Sequence, residues 1–469
     1  MAQFVRVSKF RHVYADPPRS EQIFSDLRLG NATGDQQYIK TNGKYFAIAV
    51  NGGGGPFAVL PLDKPCRYNT TQPIYNGHTG AVIDFDFHPF NDQIIASCSD
   101  DQTIKLWEIP EEGLTENISE PLINLTGHHR RVIFLRFHPT AEGVLASAAK
   151  DNEIKLWDIN TQSEIINNTK VQDLIQDIVW DYCGKQYAVA SKNKKVTAFD
   201  ARSSEETFQF NPHDGSKGVK LTYLGDNDKL LTVGFTKQSE REFKIWDQRN
   251  LDKPLTRIAM DQASGVILPF YDVDTSILYL AGKGDGNVRY YEISDQKPFA
   301  HPIGDYRSNV SAKGMAWIPK RRLNVMKCET ARLLKLTPST VEPLSFVVPR
   351  KAVEFQDDLY PDTFAPIPAM QALEWISGID KPPVLMSLNP NKTKEGSRPS
   401  SLPTNMKLNA QTFKSPAILQ NELNAKNAEL EKANARIVEL EQRLSDVEQR
   451  LSDATLNSGA TDVEAKPSA

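Results

Sequence analysis

Apolar and polar positions alternate in short runs along most of the chain, and one run is nearly repeated. Thr103-Ile104-Lys105-Leu106-Trp107-Glu108-Ile109 follows a turn at Asp100-Asp101-Gln102. Fifty residues on, Glu153-Ile154-Lys155-Leu156-Trp157-Asp158-Ile159 follows Lys150-Asp151-Asn152. Each copy predicts a turn holding an Asp, then a strand closed by Trp and an acid. Weaker copies end near Leu60, Phe199, Trp246, Tyr291 and Leu334, so the marker positions are spaced 47, 50, 42, 47, 45 and 43 residues apart. A second marker on an earlier strand (Phe87, Phe137, Trp180, Tyr223, Phe270, Trp317) runs in phase, at spacings of 50, 43, 43, 47 and 47. A period of roughly 40–45 residues is that of a four-stranded propeller blade. The expected fold is therefore an all-β, seven-bladed WD-repeat β-propeller over residues 1–342. A strand at residues 4–14, where apolar and polar residues alternate, would close the last blade and remove its open edge.

The pattern then changes. Residues 343–390 leave the repeat but keep large apolar groups (Val347-Val348-Pro349, Leu359-Tyr360, Trp375-Ile376), which predicts an ordered extension packed on the propeller. Asn, Lys, Ser, Pro and Thr dominate residues 391–416, as in a flexible linker. In 417–456, Leu423, Leu430, Ile437, Leu444 and Leu451 recur every seven residues, with Leu419, Lys426, Ala433, Leu440, Val447 and Ala454 in the other seam. Five such heptads predict a self-associating α-helical coiled coil. Residues 457–469 read as a disordered tail. Within the coil, Arg436, Ile437, Leu440 and Glu441 set an order that Arg443, Leu444, Val447 and Glu448 repeat one heptad on. An Arg fork there can lie along the seam and reach a carboxylate on a neighbouring helix. The same order also fits ordinary flanking charge on a dimer.

Composition narrows the class. Apolar residues make up 39% of the 469-residue chain and charged residues 24%, with a net charge of −4, so there is no global attraction to nucleic acid. The four cysteines lack paired metal-ligand spacing, which points to free thiols in a reducing compartment. No leader pattern and no apolar run of membrane-spanning length is read, so the expected location is the cytoplasm. No metal, cofactor or nucleic acid is called for. The glycine turn at residues 52–55 lacks the Lys-Ser/Thr and the helix of a phosphate loop.

Candidate chemistry is largely structural. His78, Ser97, Asp101 and Trp107 in one blade, and His128, Ser147, Asp151 and Trp157 in the next, can each form a hydrogen-bonded chain that satisfies buried groups and fixes register. These are also the residue types of a hydrolytic triad. Their recurrence in two blades fits a building rule better than one catalytic centre, so no enzyme is expected. Basic groups cluster in predicted loops: Arg19, Arg28 and Lys40 near the start, then Arg130-Arg131, Lys192, Lys194-Lys195, Lys237 with Arg241, and Lys320-Arg321-Arg322. They are either solvated loop charge or a basic face for an acidic partner.

The assembly resembles the coronin family. The residues that carry the resemblance are Ser8-Lys9-Phe10-Arg11-His12-Val13, Ser264-Gly265-Val266, Leu268-Pro269-Phe270, Leu278-Tyr279-Leu280-Ala281-Gly282-Lys283-Gly284-Asp285, Val348-Pro349-Arg350-Lys351, Asp358-Leu359-Tyr360-Pro361 and the terminal heptads. The resemblance implies a short, single-propeller member. It would bind the sides of actin filaments at the cell cortex and modulate both the actin-related-protein branching complex and cofilin. The family's filament-binding Arg falls on Arg28, with Lys9, Arg11, Arg19 and Lys40 as further candidates. Where many members read Trp-Asp-Ser just beyond, this chain has Gly34-Asp35-Gln36. The doubled Arg/Glu order resembles the family's trimerisation signature and favours a homotrimer over a dimer or tetramer. The rival reading is a non-actin scaffold that presents peptide clients through a propeller face.

A peptide spanning 417–456 is expected to be helical and to sediment with the mass of three chains. A two-chain mass at all concentrations would return the Arg/Glu order to ordinary dimer charge.

Overall fold

The computed structural model describes residues 7–30, 34–351 and 354–390. They form seven sheets arranged as the blades of a propeller. The inner strands are Ile39–Thr41, Val82–Phe87, Val132–Phe137, Ile175–Trp180, Lys220–Tyr223, Ile267–Asp272 and Gly314–Trp317. Each leads outward through antiparallel neighbours. In the second blade these are Ile94–Ser99, Ile104–Glu108 and Ile123–Leu125. Two faces follow from this order. Inner strands begin at the first face, which also carries the turns between second and third strands. They end at the second face.

Sequence explains which strand lies where. Second strands are covered on both sides by adjacent blades, so Ile94–Ser99, Val144–Ala149 and Ile277–Gly282 are buried throughout and read as runs of apolar and small residues. The outer strand Ser163–Asn168 is largely open to solvent and is polar. The first-face turns hold a left-handed residue at matching places: Gln102, Asn152, Lys194, Ser239 and Gly286. A backbone of that hand closes a tight hairpin without splaying strands of right-handed twist.

The ring closes through the N-terminal segment, though not as the alternation of residues 4–14 suggests. Residues 1–6 lie outside the described part, and the closing strand is Tyr14–Asp16, paired antiparallel with Val341–Val347. Residues 8–13 form turns instead, with Val13 N donating to Phe10 O at 3.1 Å. Phe10 and Val13 stand three apart and both enter the core around Tyr279, Tyr290 and Phe346, a spacing that a strand would send to opposite faces. A second correction concerns Leu334, which lies on the second strand of its blade. Trp317 pairs with Leu333, and Leu333 with Leu344, so Leu344 holds the third-strand position and the strand continues to Val347, past residue 342.

Residues 354–390 pack on this ring. Leu359 and Tyr360 join the seventh-blade core, and the Tyr360 hydroxyl donates to Glu329 O at 2.9 Å. Met370–Gln371 pairs in parallel with Ala141–Glu142, and Thr363–Phe364 pairs with Leu385–Met386. The short helix Ala372–Ile376 seats Trp375, fully buried, between His138 and Trp180, with Arg202 stacked over its ring. Among the described residues no helix is long and apolar enough to cross a membrane. The heptads of 417–456, with Leu423 to Leu451, fall outside the described residues.

Phe10→Ala is expected to cost about 3–5 kcal/mol, the usual price of emptying a buried aromatic site. A shift of the urea midpoint below the equivalent of about 1 kcal/mol would show that the N-terminal turn adds little to closure.

Candidate protein-interaction face

Three hydrogen-bonded chains brace the blades behind the first face. In the second blade His78 Nδ1 lies 2.8 Å from Asp101 Oδ2, and His78 Nε2 lies 2.8 Å from Ser97 Oγ. Trp107 Nε1 donates to the same Ser97 oxygen at 2.8 Å. A carboxylate can only accept, so Nδ1 carries the imidazole proton and Nε2 accepts from Ser97. The chain therefore runs from Trp to Ser to His to Asp with every polar atom used. His128, Asp151, Ser147 and Trp157 repeat it at 3.1, 2.8 and 2.8 Å. The third copy was not read from the sequence: His213 meets Glu242 at 2.8 Å and Thr232 at 2.9 Å, and Trp246 donates to Thr232 at 3.0 Å. Its signal was the step of 19 residues from the His to a hydroxyl residue, common to all three blades. It was masked because the acid is a Glu on the strand rather than an Asp in the turn.

These groups are poorly placed for hydrolysis. Ser97 and Ser147 are fully buried, and each hydroxyl oxygen already accepts from an indole. His128, Asp151 and Glu153 are close enough to hold a metal ion. The chain just described accounts for the first two, and Lys155 lies 3.4 Å from Glu153. Burial alone would raise the acids. Hydrogen bonds from the imidazoles overcome it, holding Asp101 far below the ordinary carboxylate range and Asp151 and Glu242 at about 2.

Arg28 sits on a loop held on both sides. Phe24 N donates to Val341 O, and Leu27 N to Ser339 O, in the seventh blade. Ser25 N donates to Cys66 O, Asn51 N to Arg28 O, and Gly30 N to Ala49 O, in the first. Asp26, left-handed at φ 60°, turns its carboxylate to Arg67. Leu27 is buried, while Arg28 is exposed and makes no side-chain hydrogen bond or ion pair among the described residues. The loop thus fixes the backbone on the first face and leaves the guanidinium free. Exposed Arg130, Lys192, Lys237 and Lys313 stand on the same face.

The other basic candidates separate. Arg11 and Arg19 are exposed. Lys9 is exposed too, but its ammonium is tied to the carbonyl of Asp358. Lys40 does not belong with them. It projects from the innermost strand of the first blade into the central channel, is 15% exposed and pairs with Asp86 at 3.7 Å. Burial, then the nearby Arg136, lowers its pKa. Arg241 is buried between Asp261 and Asp285. Lys320 is buried on Asp272, while Arg321 and Arg322 both reach Asp92. These loop charges stitch the fold.

The channel itself contains a charge cluster that the sequence reading missed. Asp84 accepts from Arg136 at 2.9 Å and from Leu135 N of the next blade. Asp177 likewise accepts from Leu221 N of its neighbour at 3.0 Å, beside Lys220. Each carboxylate therefore links one inner strand to the next. The available signal was the acid at alternate places of an otherwise apolar inner strand.

The fold and the braced blades define a seven-bladed WD-repeat propeller. Family models agree: the WD domain, G-beta repeat matches residues 69–108 and 119–158, a type of WD40 repeat matches 341–383, and a domain of unknown function (DUF1899) matches 3–67. Among solved structures, the WD40 domain of Toxoplasma gondii coronin is similar at TM-score 0.77 and 32% identity, over 81% of this chain and 98% of that one. A chain of the mitotic checkpoint complex, 13% identical at TM-score 0.54, shares the fold alone. Coronin-A of Dictyostelium discoideum is 47% identical over 398 residues, which is 85% of this chain and 89% of that protein. The chain belongs to the coronin family.

A depressed carboxylate stabilises the native state above its unfolded pKa of about 4, and that stabilisation is lost as pH falls toward about 2. Glu242, almost wholly buried, is worth on the order of a few kcal/mol at neutral pH by this linkage. Glu242→Gln is expected to flatten the loss of stability between about pH 4 and 2 in denaturant titrations. An unchanged slope would show that the third chain does not couple to folding. Ser97→Ala leaves two buried partners unsatisfied and is expected to cost about 1–3 kcal/mol for each, read as a fall in melting temperature.

Proposed function

We propose that this protein is an actin-associated cytoskeletal regulator that binds filament sides through the first face of its propeller. The observation that carries the reading is Arg28: an exposed guanidinium with no ion-pair partner among the described residues, on a backbone fixed from two blades. Actin filaments are strongly acidic. A face presenting Arg28, Arg130, Lys192, Lys237 and Lys313 complements them in charge, and Arg11 and Arg19 add peripheral positive charge.

Exposed ion pairs are worth only about 0–1 kcal/mol each, so one head would bind weakly and in a salt-dependent way. Joining heads through the heptads of 417–456 turns later contacts into intramolecular ones and raises avidity by about 10²–10⁴. A trimer would thereby bundle or crosslink filaments. Family membership supports the same cytoplasmic and cortical setting. The branching complex and cofilin are further partners within this reading, which assigns the protein no catalytic step.

Filament cosedimentation tests it. The full chain is expected to pellet with actin in a salt-sensitive way, and a chain ending at residue 390 to pellet at least about tenfold more weakly. Arg28→Asp is expected to lose about tenfold or more, whereas Lys40→Ala, a channel change, is expected to leave filament affinity unaltered. No pelleting at low salt would overturn the proposal in favour of a scaffold with other clients.

A further inference from the structure

We infer that the cavity beside Arg28 on the first face takes an uncharged, aliphatic side chain of the actin filament, so that the contact has an apolar anchor as well as charged groups. The inference rests on the filament reading above and adds a second kind of contact to it. The cavity measures about 470 Å³ and lies at the first-face end of the central channel. That volume falls within the roughly 300–1,000 Å³ of ligand-binding clefts. One side is the turn between the first-blade strands Tyr45–Ala49 and Phe57–Pro61, and the other is where the inner strands of the second to fourth blades begin.

The residue types set its character. Glycines let the first-blade turn lie against the second blade, since a Cβ on Gly55 would come within 2.1 Å of Gly80 O. That wall is therefore largely backbone. The floor is aliphatic, with Ile83 half-buried and Ile133 and Ile175 buried near the starts of three successive inner strands. The charges of the lining balance. Arg131 takes Asp100 at 3.3 Å, and Lys150 and the exposed Asp35 are of opposite sign. A charged side chain entering here would lose hydration without net compensation from the lining, whereas an aliphatic one gains by burial.

The filament is the occupant because the cavity is continuous with the Arg28 loop. Asn51, in the lining, donates its N–H to Arg28 O at 2.8 Å, and Gly30 lines the cavity two residues beyond Arg28. A filament whose acids reach Arg28 covers this opening. Interface cores pack as densely as protein interiors, so the covered space is filled by a side chain of the filament. Burial of aliphatic surface is insensitive to ionic screening, whereas contacts between exposed charges weaken with salt. The two kinds of contact therefore separate in a salt series.

Filament cosedimentation of the full chain and its variants, each shown to be folded by its melting temperature, tests the inference. Ala81 is exposed and lines the cavity. Ala81→Trp fills the space and is expected to bind at least about tenfold more weakly, a difference of about 1.4 kcal/mol, by the same factor at every salt concentration. Ala81→Ser is expected to bind as the unaltered chain does. Ile83→Val and Ile83→Ala remove floor without adding bulk and are expected to weaken binding several-fold in that order. Arg28→Asp is expected to lose most at low salt and little at high salt. Loss with Arg28→Asp but none with Ile83→Ala would overturn the anchor and leave the charged contact standing. Loss with Ala81→Trp alone would mark a clash rather than an occupied cavity, and would overturn it too. Loss with the cavity variants but none with Arg28→Asp would support the anchor and remove Arg28 from the contact. No pelleting of the unaltered chain at any salt would overturn both.

Discussion

Ring closure is the constraint on which the structure depends. Seven sheets that each leave polar edges exposed become one body only when the last accepts a strand from the chain's beginning, and that strand is three residues long, Tyr14–Asp16. So short a pairing needs reinforcement. It comes from the buried side chains just before it, Phe10 and Val13, and from Leu359 and Tyr360 of the extension, which enter the same core. The Tyr290 hydroxyl adds a hydrogen bond to Val13 O at 3.2 Å. Segments more than three hundred residues apart in sequence thus form one seam, and the loop bearing Arg28 is attached beside it.

Polar groups hold the rest of the ring in place. The Trp-Ser-His-Asp chains lock strands within a blade, and the channel carboxylates Asp84 and Asp177 lock one blade to the next. Both kinds are buried, so each has value only when complete. The consequence for recognition is that much of the basic charge is committed to the fold. Lys40, Arg241, Lys320 and Arg321 are held by carboxylates, and what remains on the first face is a small set with Arg28 at its fixed edge.

Much of the fold was legible because blades obey local rules. Two markers in phase located all the inner strands they named, and the third strands of the first to sixth blades. The seventh blade misled at Leu334 because the connection between its first and second strands, residues 318–328, is longer than in the other blades and holds two short 3-10 turns, so its second strand falls where other repeats have a third. The alternation at residues 4–14 failed for a similar reason: tertiary packing of Phe10 and Val13 overrode it. Within the candidate site, exposure of Arg28 followed from its loop position, but the burial of Lys40 did not. A lysine on a short strand reads as surface until the channel is known to be lined with acids. The third braced blade, with Glu242 in place of an Asp, was hidden by a change of residue type and of position at once.

Closure also has a temporal side. Val347, the partner of Tyr14, is made about 330 residues after it. At about 5–20 residues per second, tens of seconds of synthesis separate the two. During that interval the third strand of the last blade does not exist, and the Tyr14 segment has no mate. The nascent chain therefore carries an unpaired β-edge at its front while the intermediate blades emerge. A chaperone or neighbouring polysome chain has its longest access at this place, and the ring is committed only when Val341–Val347 reaches Tyr14–Asp16.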